Sequence, residues 1–310
     1  MIAQDVIGVD VARGWIDAHR LSTGHHERIA VTDQDLARFA QAARGALVVF
    51  EASGGCERGL ASALAGAGIA FARVNPRQAR DFARATGRLA KTDRVDARVL
   101  AEPGAALKPR PEPPADPARE LLADLVARRA DLVAMTGAER NRAGTARDPG
   151  IAADIASHIK EMEGRIATLD ARIAALVDAR ETLRDQARRL RSVPGIGPTL
   201  APVILAGLPE LGTLDRRRIA SLAGLAPQAC DSGLFRGRRR IRGGRAGVRR
   251  ALYLAAFIAS RHDPAMKAFR QRMQAAGKPP KLAITACARK LLTILNAIAR
   301  NQSHYQKQTT

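Results

Sequence analysis

Hydrophobic and polar positions in the first hundred residues follow two alternating patterns. Short apolar runs of strand length alternate with segments whose apolar residues recur at helical spacing. A strand meander followed by strand–helix alternation predicts a mixed α/β sheet with helices packed on it. The predicted strands are 6–12, 15–22, 27–32, 46–55 and 69–76, and the predicted helices are 33–43, 56–68, 77–87 and 90–102.

The pattern changes after residue 107. Residues 108–117 contain five prolines and predict a linker. A helix is predicted for 118–147, with Asp148-Pro149-Gly150 as its end. A stripe of heptad-like spacing follows and lapses once, at Arg180; its members are Ile159, Met162, Ile166, Leu169, Ile173, Leu176, Leu183, Ala187 and Leu190. Such a stripe is typical of a coiled coil, and three arrangements remain open: packing within the chain, self-association, and antiparallel pairing with 118–147.

The last third of the chain is predicted to be mainly helical with glycine-rich turns. Helical segments interrupted by glycine turns are predicted within 193–208 and 216–227, a Gly/Arg loop follows, and two further helices are predicted near 246–260 and 280–300. The predicted organisation is therefore an α/β domain (1–107), a linker (108–117), a coiled-coil helical segment (118–190) and a mainly α basic domain (191–310).

Charge is distributed unevenly along this organisation. The formal net charge is +21, and residues 191–310 hold 22 basic against 4 acidic side chains. A balance of this kind predicts a polyanionic partner, with nucleic acid as the first choice. The most apolar stretch considered, 251–260, is too short to span a bilayer, so no membrane partner is expected. The N-terminus shows no signal-peptide pattern, and the three cysteines are widely spaced, which favours a cytoplasmic protein.

Four acidic residues form the first group with candidate chemistry. Asp10 interrupts an apolar strand, and Glu51 ends another. Asp93 and Asp96 are three apart, so on a helix they share a face. Carboxylate oxygens suit Mg²⁺ or Mn²⁺. The alternative is structural: Asp10 caps a turn, while the two aspartates pair with neighbouring basic residues.

The sequence VPGIGP at 193–198 predicts a helix-hairpin-helix turn. Gly195 and Gly197 would let the backbone approach a phosphate, and the helix that follows would supply N–H donors. The alternative is a tight turn between two core helices.

A glycine- and arginine-rich segment surrounds a serine at 231–250. Eight arginines predict contact with nucleic-acid phosphates; they are Arg236, Arg238, Arg239, Arg240, Arg242, Arg245, Arg249 and Arg250. Ser232 lies just before them, in Asp-Ser-Gly. By itself this tripeptide is an ordinary turn, and only an activated serine would be a nucleophile. The chain has no GxxxxGK[ST] motif, so ATP is not expected.

These blocks together resemble a known family. In order along the chain they are GVDVARGWIDA, VVFEASGG, VNPRQARDFARATGRLAKTDRVDA, VPGIGP, LAGLAPQACDSG, RGRRRIRGGRAGVRRALY and ARKLLTILNA. They resemble the DEDD transposases of bacterial insertion sequences of the insertion sequence 110 group, to which the Piv-type DNA invertases are similar. Arg13 and Pro103 depart from the family pattern, and Pro103 is unexpected within a continuing helix.

The resemblance implies a fold and a reaction. It implies a RuvC-like, ribonuclease H-type domain at 1–107 and a transposase domain at about 190–300. Asp10, Glu51, Asp93 and Asp96 would be the catalytic, Mg²⁺-binding acidic residues. Ser232, in the family's APxxxxSG block, would attack DNA and form a covalent intermediate.

The resemblance also implies partners. They are donor and target DNA, a structured bridge RNA encoded by the element, and further copies of the chain as a dimer and a tetramer. Two alternatives remain: a metal-dependent nuclease that resolves DNA junctions with the acidic site alone, and an inactive element protein that only binds nucleic acid.

Overall fold

The structure is a computed structural model that describes residues 5–52, 54–86, 93–112, 116–229, 231–232, 235–237 and 239–306. The side chains of Arg77, Asp93, Arg94, Val95, Asp96, Ser232 and Phe235 also lie outside what is described. The chain divides into two compact units, Met1–Ala115 and Asp116–Thr310.

The first unit is built on a mixed five-stranded sheet, as the sequence predicts. Its elements are β1 (Asp5–Val11), β2 (Trp15–Arg20), β3 (His26–Ala30), α1 (Asp33–Ala42), β4 (Ala46–Glu51), α2 (Arg58–Gly66), β5 (Phe71–Val74), α3 (Pro76–Ala85) and α4 (Asp93–Leu107). The strand order is β3-β2-β1-β4-β5. The hairpin strands β2 and β3 pair antiparallel, whereas β1, β4 and β5 run parallel.

Helices cover both faces of this sheet. Apolar residues of α1 and α2, such as Phe39 and Leu64, pack on one face with Val9 and Phe50. Helix α4 packs on the other face, where Ala101 joins Val49. The helix continues through Pro103 to Leu107, so the proline does not interrupt it.

The predicted linker begins as an edge of the first unit. The backbone N–H of Glu112 donates to the carbonyl of Phe71 in β5 at 2.8 Å. The Glu112 carboxylate also binds the Arg73 guanidinium, with Nη2–Oε2 at 2.6 Å. The division between the units falls within the predicted linker, and residues 113–115 lie outside the description.

The second unit is mostly helical. Its elements are α5 (Pro117–Ala143), α6 (Pro149–Ala179), α7 (Glu181–Arg191), α8 (Leu200–Gly207), α9 (Arg216–Leu222), β6 (Pro227–Gln228), β7 (Asp231–Ser232), β8 (Phe235–Arg236), β9 (Arg240–Ile241), α10 (Ala246–His262), α11 (Pro264–Ala275) and α12 (Pro280–Asn301). Helices on both sides of residue 190 share one hydrophobic core, so a domain boundary there stays a prediction.

Helices α5 and α6 form an antiparallel hairpin. The ion pairs Arg129–Asp170 and Arg140–Glu163 join them, with partner numbers that fall on one helix as they rise on the other. The predicted stripe supplies the buried contacts, for example Met162 and Ile173. The structure thus contains the antiparallel pairing within one chain, while a coiled coil and self-association stay predictions.

Helix α12 is the one described helix that is long and apolar enough to cross a membrane by length and composition, with a hydropathy of 1.5. Half of the most apolar 18-residue stretch of α12 is buried inside the second unit, where Leu291, Leu292 and Leu295 are almost fully enclosed. The core helix of a globular unit has the same length and composition, so these two properties alone do not indicate a membrane span.

Candidate functional site

Asp10 and Glu51 lie at the same edge of the sheet. Strands β1 and β4 are parallel neighbours, and Val9 stands opposite Phe50. Asp10 and Glu51 are the next residue of each strand, and both are half-buried. Each has interactions within the protein. The strand register therefore places these two carboxylates on neighbouring strand ends, and their role as metal ligands stays a prediction.

The backbone of α4 runs antiparallel to β1 across the sheet face. A Cβ at Gly8 would lie 2.1 Å from the Ala97 carbonyl oxygen, and one at Gly104 would lie 2.9 Å from Val6. Moving backwards along α4 from Gly104 to Ala97 therefore leads along β1 from Val6 towards Asp10. Asp93 begins this helix, one turn before Ala97. The helix backbone thus carries Asp93 and Asp96 towards the Asp10 edge, and their side chains lie outside the description.

A carboxylate that the sequence analysis missed lies beside Asp10. Asp17 of β2 stands directly opposite Asp10 of β1, and Arg28 of β3 stands opposite Asp17. Directly opposed residues of antiparallel strands project to the same face, so the three form one row. Asp17 is 2% exposed and binds Arg28 twice, at 3.1 and 2.8 Å. The sequence signal for Asp17 was an acidic residue between two apolar residues of a predicted strand, Ile16 and Ala18.

Among the side chains that the structure describes, no group of three or more His, Cys, Asp or Glu residues could hold a metal ion. Two of the four predicted ligands, Asp93 and Asp96, are outside that search. The predicted magnesium site therefore stays a prediction. Arg98, one of the predicted structural partners of these aspartates, binds Glu102 one turn further along α4 at 3.1 Å.

Ser232 belongs to a small β-hairpin arm. Strand β7 pairs antiparallel with β8, and β6 pairs antiparallel with β9. We call residues 227–241 the serine hairpin. Ser232 stands opposite Phe235, and the Gly237 N–H donates to the Asp231 carboxylate at 3.1 Å. The sequence analysis predicted only a loop here. Gly233 and Leu234, which join β7 to β8, lie outside the description.

The predicted arginine cluster divides into two groups. One group is exposed: Arg236, Arg239 and Arg240 lie in the serine hairpin, Arg242 follows it directly, and Arg250 lies in the first turns of α10. The other group bonds to the protein itself: Arg245 binds Glu210 with two bonds of 2.6 Å, and Arg249 donates to the Gly243 carbonyl at 2.7 Å. Arg238 lies outside the description. The exposed group is the one that the fold leaves open to a phosphate backbone.

Glu210 is the second acidic residue that sequence reasoning missed. Partial burial alone would raise the pKa of this carboxyl, but the hydrogen bonds and charge of Arg245, with a backbone hydrogen bond, outweigh it and lower the pKa below its ordinary value. Glu210 is therefore ionised near neutral pH. The sequence contained a signal for Glu210: residues 191–310 hold only four acidic residues, so each acid in this basic segment is a candidate partner for an arginine.

The two glycines of the predicted phosphate-binding turn differ in their surroundings. A Cβ at Gly195, where φ is +88°, would lie 2.3 Å from the Ala255 carbonyl oxygen of α10. A Cβ at Gly197 would meet nothing within 4 Å. The backbone at Gly195 is thus approached by helix α10 of the same chain, which agrees with the alternative of a tight turn between core helices. Of these two glycines, only Gly197 leaves room for another molecule.

Comparison with known proteins gives two family matches. Residues 187–271 match the family described as "Transposase IS116/IS110/IS902 family". Residues 7–146 match a DEDD family of the IS110 type, described as "Transposase". The second range contains all four predicted acidic ligands, and the first contains Ser232 and the serine hairpin.

The chain is also similar to individual proteins from Moraxella and Mycobacterium. The pilin gene-inverting protein of Moraxella bovis is 31% identical over 238 residues, which cover 76% of this chain and 74% of the relative. The protein of the same name from Moraxella lacunata has the same identity and coverage. The insertion element IS900 uncharacterized 42 kDa protein of Mycobacterium paratuberculosis is 31% identical over 59% of this chain and 47% of the relative.

Proposed function

Because this chain belongs to the IS110 family of DEDD transposases, we propose that it cuts and rejoins DNA through a covalent bond to Ser232. The resemblance seen in the sequence is thereby confirmed at the level of the family. A transposase or invertase acts on DNA, so the chain is a DNA-recombining enzyme. Beyond membership of the family, we propose three features: a serine nucleophile, a metal site and an RNA partner.

The acidic edge of the first unit is proposed as the metal site. Oxygen donors from Asp10, Glu51, Asp93 and Asp96 fit Mg²⁺ or Mn²⁺ by their chemistry. The register of β1 with β4 and the course of α4 support this proposal, and the strand order is consistent with a RuvC-like, ribonuclease H-type sheet. A bound divalent ion would supply charge stabilisation at a transferring phosphate. Asp17, neutralised by Arg28, would hold the neighbouring strand in register.

Ser232 is proposed as the nucleophile. Its hydroxyl oxygen forms a bond to the DNA phosphorus, the hydroxyl proton passes to a general base, and the bond from phosphorus to one deoxyribose oxygen breaks. That oxygen takes up a proton and leaves as a strand hydroxyl. A hydroxyl of another strand then attacks the phosphoserine, and the serine is regenerated. The number of phosphate ester bonds is conserved, so no ATP is required.

The exposed arginines supply the proposed grip on nucleic acid. Exposed guanidinium groups in and beside the serine hairpin and on α10 would match phosphates without reading sequence. Gly197 and the start of α8 are a second proposed phosphate contact, since the space beside Gly197 is open.

We further propose the partners that the family resemblance implies. They are donor and target DNA, a structured bridge RNA, and further copies of the chain in a dimer and a tetramer. The two acting sites lie in different units, which allows an acidic site to serve the serine of another protomer. The expected location is the bacterial cytoplasm, with the nucleoid.

The observation that carries this proposal is that the two family matches jointly contain the complete acidic set and the serine. Recombination of a supercoiled plasmid that bears the element ends tests it. The wild-type protein with Mg²⁺ should form the junction, and EDTA or Asp10→Asn should abolish it. Asp33→Asn, which changes an exposed acid of α1, is the matched control and should recombine normally.

The test has clear contrary results. Undiminished junction formation by Asp10→Asn or in EDTA would refute the metal site. Free DNA ends without junctions would instead favour the metal-dependent nuclease. Treating the purified protein with ribonuclease before the assay should abolish the reaction if a bridge RNA guides it.

A further inference from the structure

We infer that the Glu210–Arg245 ion pair anchors the serine hairpin and sets the position of Ser232, so that both residues are positioning residues and Arg245 is not a DNA contact. This inference rests on the proposed role of Ser232. It assigns a function to an acidic residue that the proposed chemistry leaves unused.

The pair has the geometry of a strong anchor. Arg245 Nη1 lies 2.6 Å from Glu210 Oε2, and Arg245 Nη2 lies 2.6 Å from Oε1. Two parallel bonds of this kind fix the plane of the guanidinium. Arg245 Nη1 also donates to the Gly207 carbonyl at the end of α8, at 2.9 Å. A DNA phosphate would have to compete with the Glu210 carboxylate for these donors.

The loop that carries Glu210 is itself fixed to the core. Helix α12 holds it through Asn296, which accepts from the Gly212 N–H at 2.8 Å and donates to the Leu214 carbonyl at 2.9 Å. Asn296 is 3% exposed. Arg300 donates to the same Leu214 carbonyl at 2.5 Å. The loop that carries Glu210 is thus hydrogen-bonded to α12 two and four residues after the glutamate.

Arg245 lies where the chain leaves the serine hairpin. Its backbone N–H donates to the Leu222 carbonyl, at the end of α9, at 2.9 Å. The two chain segments that flank the hairpin touch, because a Cβ at Gly244 would lie 2.2 Å from the Gly224 nitrogen. The segments that enter and leave the serine hairpin are therefore in contact at its base. Arg245 joins this base to the end of α8 through Gly207 and, through the loop of Glu210, to α12.

This arrangement matters for the reaction because attack on phosphorus requires an oxygen held in line with the leaving group. A displacement of about 1 Å caused by a remote change can slow a reaction about 100-fold. The two described strand pairs of the serine hairpin connect Ser232 to the base of the hairpin, so we expect a shift of that base to move the serine.

The experiment measures covalent attachment of Ser232 to end-labelled DNA in a single turnover, at saturating DNA, with the 310-residue protein and the proposed bridge RNA. Glu210→Gln and Arg245→Gln should each slow attachment by about 10- to 100-fold. Their Kd for DNA should change by less than about threefold, since the exposed arginines remain. The double variant should be no slower than the slower single variant, because both changes remove one interaction.

Three further variants separate positioning from other causes. Arg245→Lys keeps the charge but not the two parallel bonds, so its rate should lie between wild type and Arg245→Gln. Arg165→Gln removes an exposed ion pair with Glu161 on α6 and should behave as wild type. Arg242→Gln removes an exposed hairpin arginine and should weaken DNA binding and reduce the salt slope of log Kd by about 1.

A normal attachment rate for Glu210→Gln would overturn the inference. It would equally fall if Arg245→Gln weakened DNA binding and its salt slope as Arg242→Gln does, because Arg245 would then be a phosphate contact. A slow rate accompanied by a loss of melting temperature in both Gln variants and in Arg245→Lys would show general unfolding and would also overturn it. Failure of the proposed function is recognised separately, because Ser232→Ala would then still form the covalent product.

Discussion

Gly8 illustrates how one residue sets the candidate metal site. With no side chain at this position, the backbone of α4 approaches β1 so closely that an added Cβ would lie 2.1 Å from the Ala97 carbonyl and 2.3 Å from the Ala101 nitrogen. The position of α4 along β1 is what carries Asp93 and Asp96 towards Asp10. The sequence shows only one more small residue in an apolar strand there, so this contact could not be predicted.

Gly8→Ala should therefore destabilise the first unit and disable recombination. The methyl group must push α4 away, which costs about 1–3 kcal/mol or more in the free energy of unfolding and displaces the helix that carries two acidic residues. Chemical denaturation and the plasmid junction assay measure the two effects. Gly14→Ala is the control, since a Cβ at Gly14 meets nothing within 4 Å, and it should stay within about 0.5 kcal/mol of wild type. Equal stability of the two variants would contradict this account.

Among individual residues, the sequence predicted those with unusual context and missed those with ordinary context. Asp10 and Glu51 were predicted because each interrupts or ends an apolar strand, and the register places them together. Asp17 was missed because alternating polar residues in a strand usually face solvent. Arg245 was grouped with its neighbours because composition cannot show that one arginine of a cluster faces Glu210.

At the scale of elements, Asp-Pro pairs mark helix starts along the second unit. Asp116, Asp148 and Asp263 each accept a backbone N–H of the first turn, and a proline follows each. Asp148-Pro149 was interpreted from the sequence only as a helix end, and α11 was not predicted, although Asp263-Pro264 is the same signal. The lapse at Arg180 in the apolar stripe has a structural counterpart, because Arg180 is extended and separates α6 from α7.

The turn before α8 gives a prediction at this scale. Gly195→Ala should lower the melting temperature of the second unit, because its backbone has a φ of +88° and its Cβ would meet the Ala255 carbonyl. Gly197→Ala should keep the melting temperature and weaken duplex-DNA binding by about fivefold, roughly the value of one hydrogen bond. Thermal unfolding and a DNA titration of both variants provide the measurement. Unchanged DNA binding by Gly197→Ala would remove the turn from the nucleic-acid surface.

Over the whole molecule, the excess positive charge and the four predicted metal-binding carboxylates lie in different units. Residues 191–310 carry most of the excess positive charge together with the serine hairpin, while the four predicted ligands lie in the first unit. The net charge of +21 predicted nucleic acid but no reaction. The order of sequence blocks predicted the family, and the mixed sheet followed from periodicity. Long-range contacts such as Glu210–Arg245 depend on helix packing, which periodicity does not encode.

In the proposed reaction, Ser232 becomes bonded to DNA. Incubation of the protein with end-labelled element DNA, Mg²⁺ and the proposed bridge RNA, followed by denaturing electrophoresis, detects this bond. The wild-type protein should yield a labelled protein–DNA band that protease digestion removes, and Ser232→Ala should yield none while it retains DNA binding. A labelled covalent band of normal intensity from Ser232→Ala would contradict the proposed reaction.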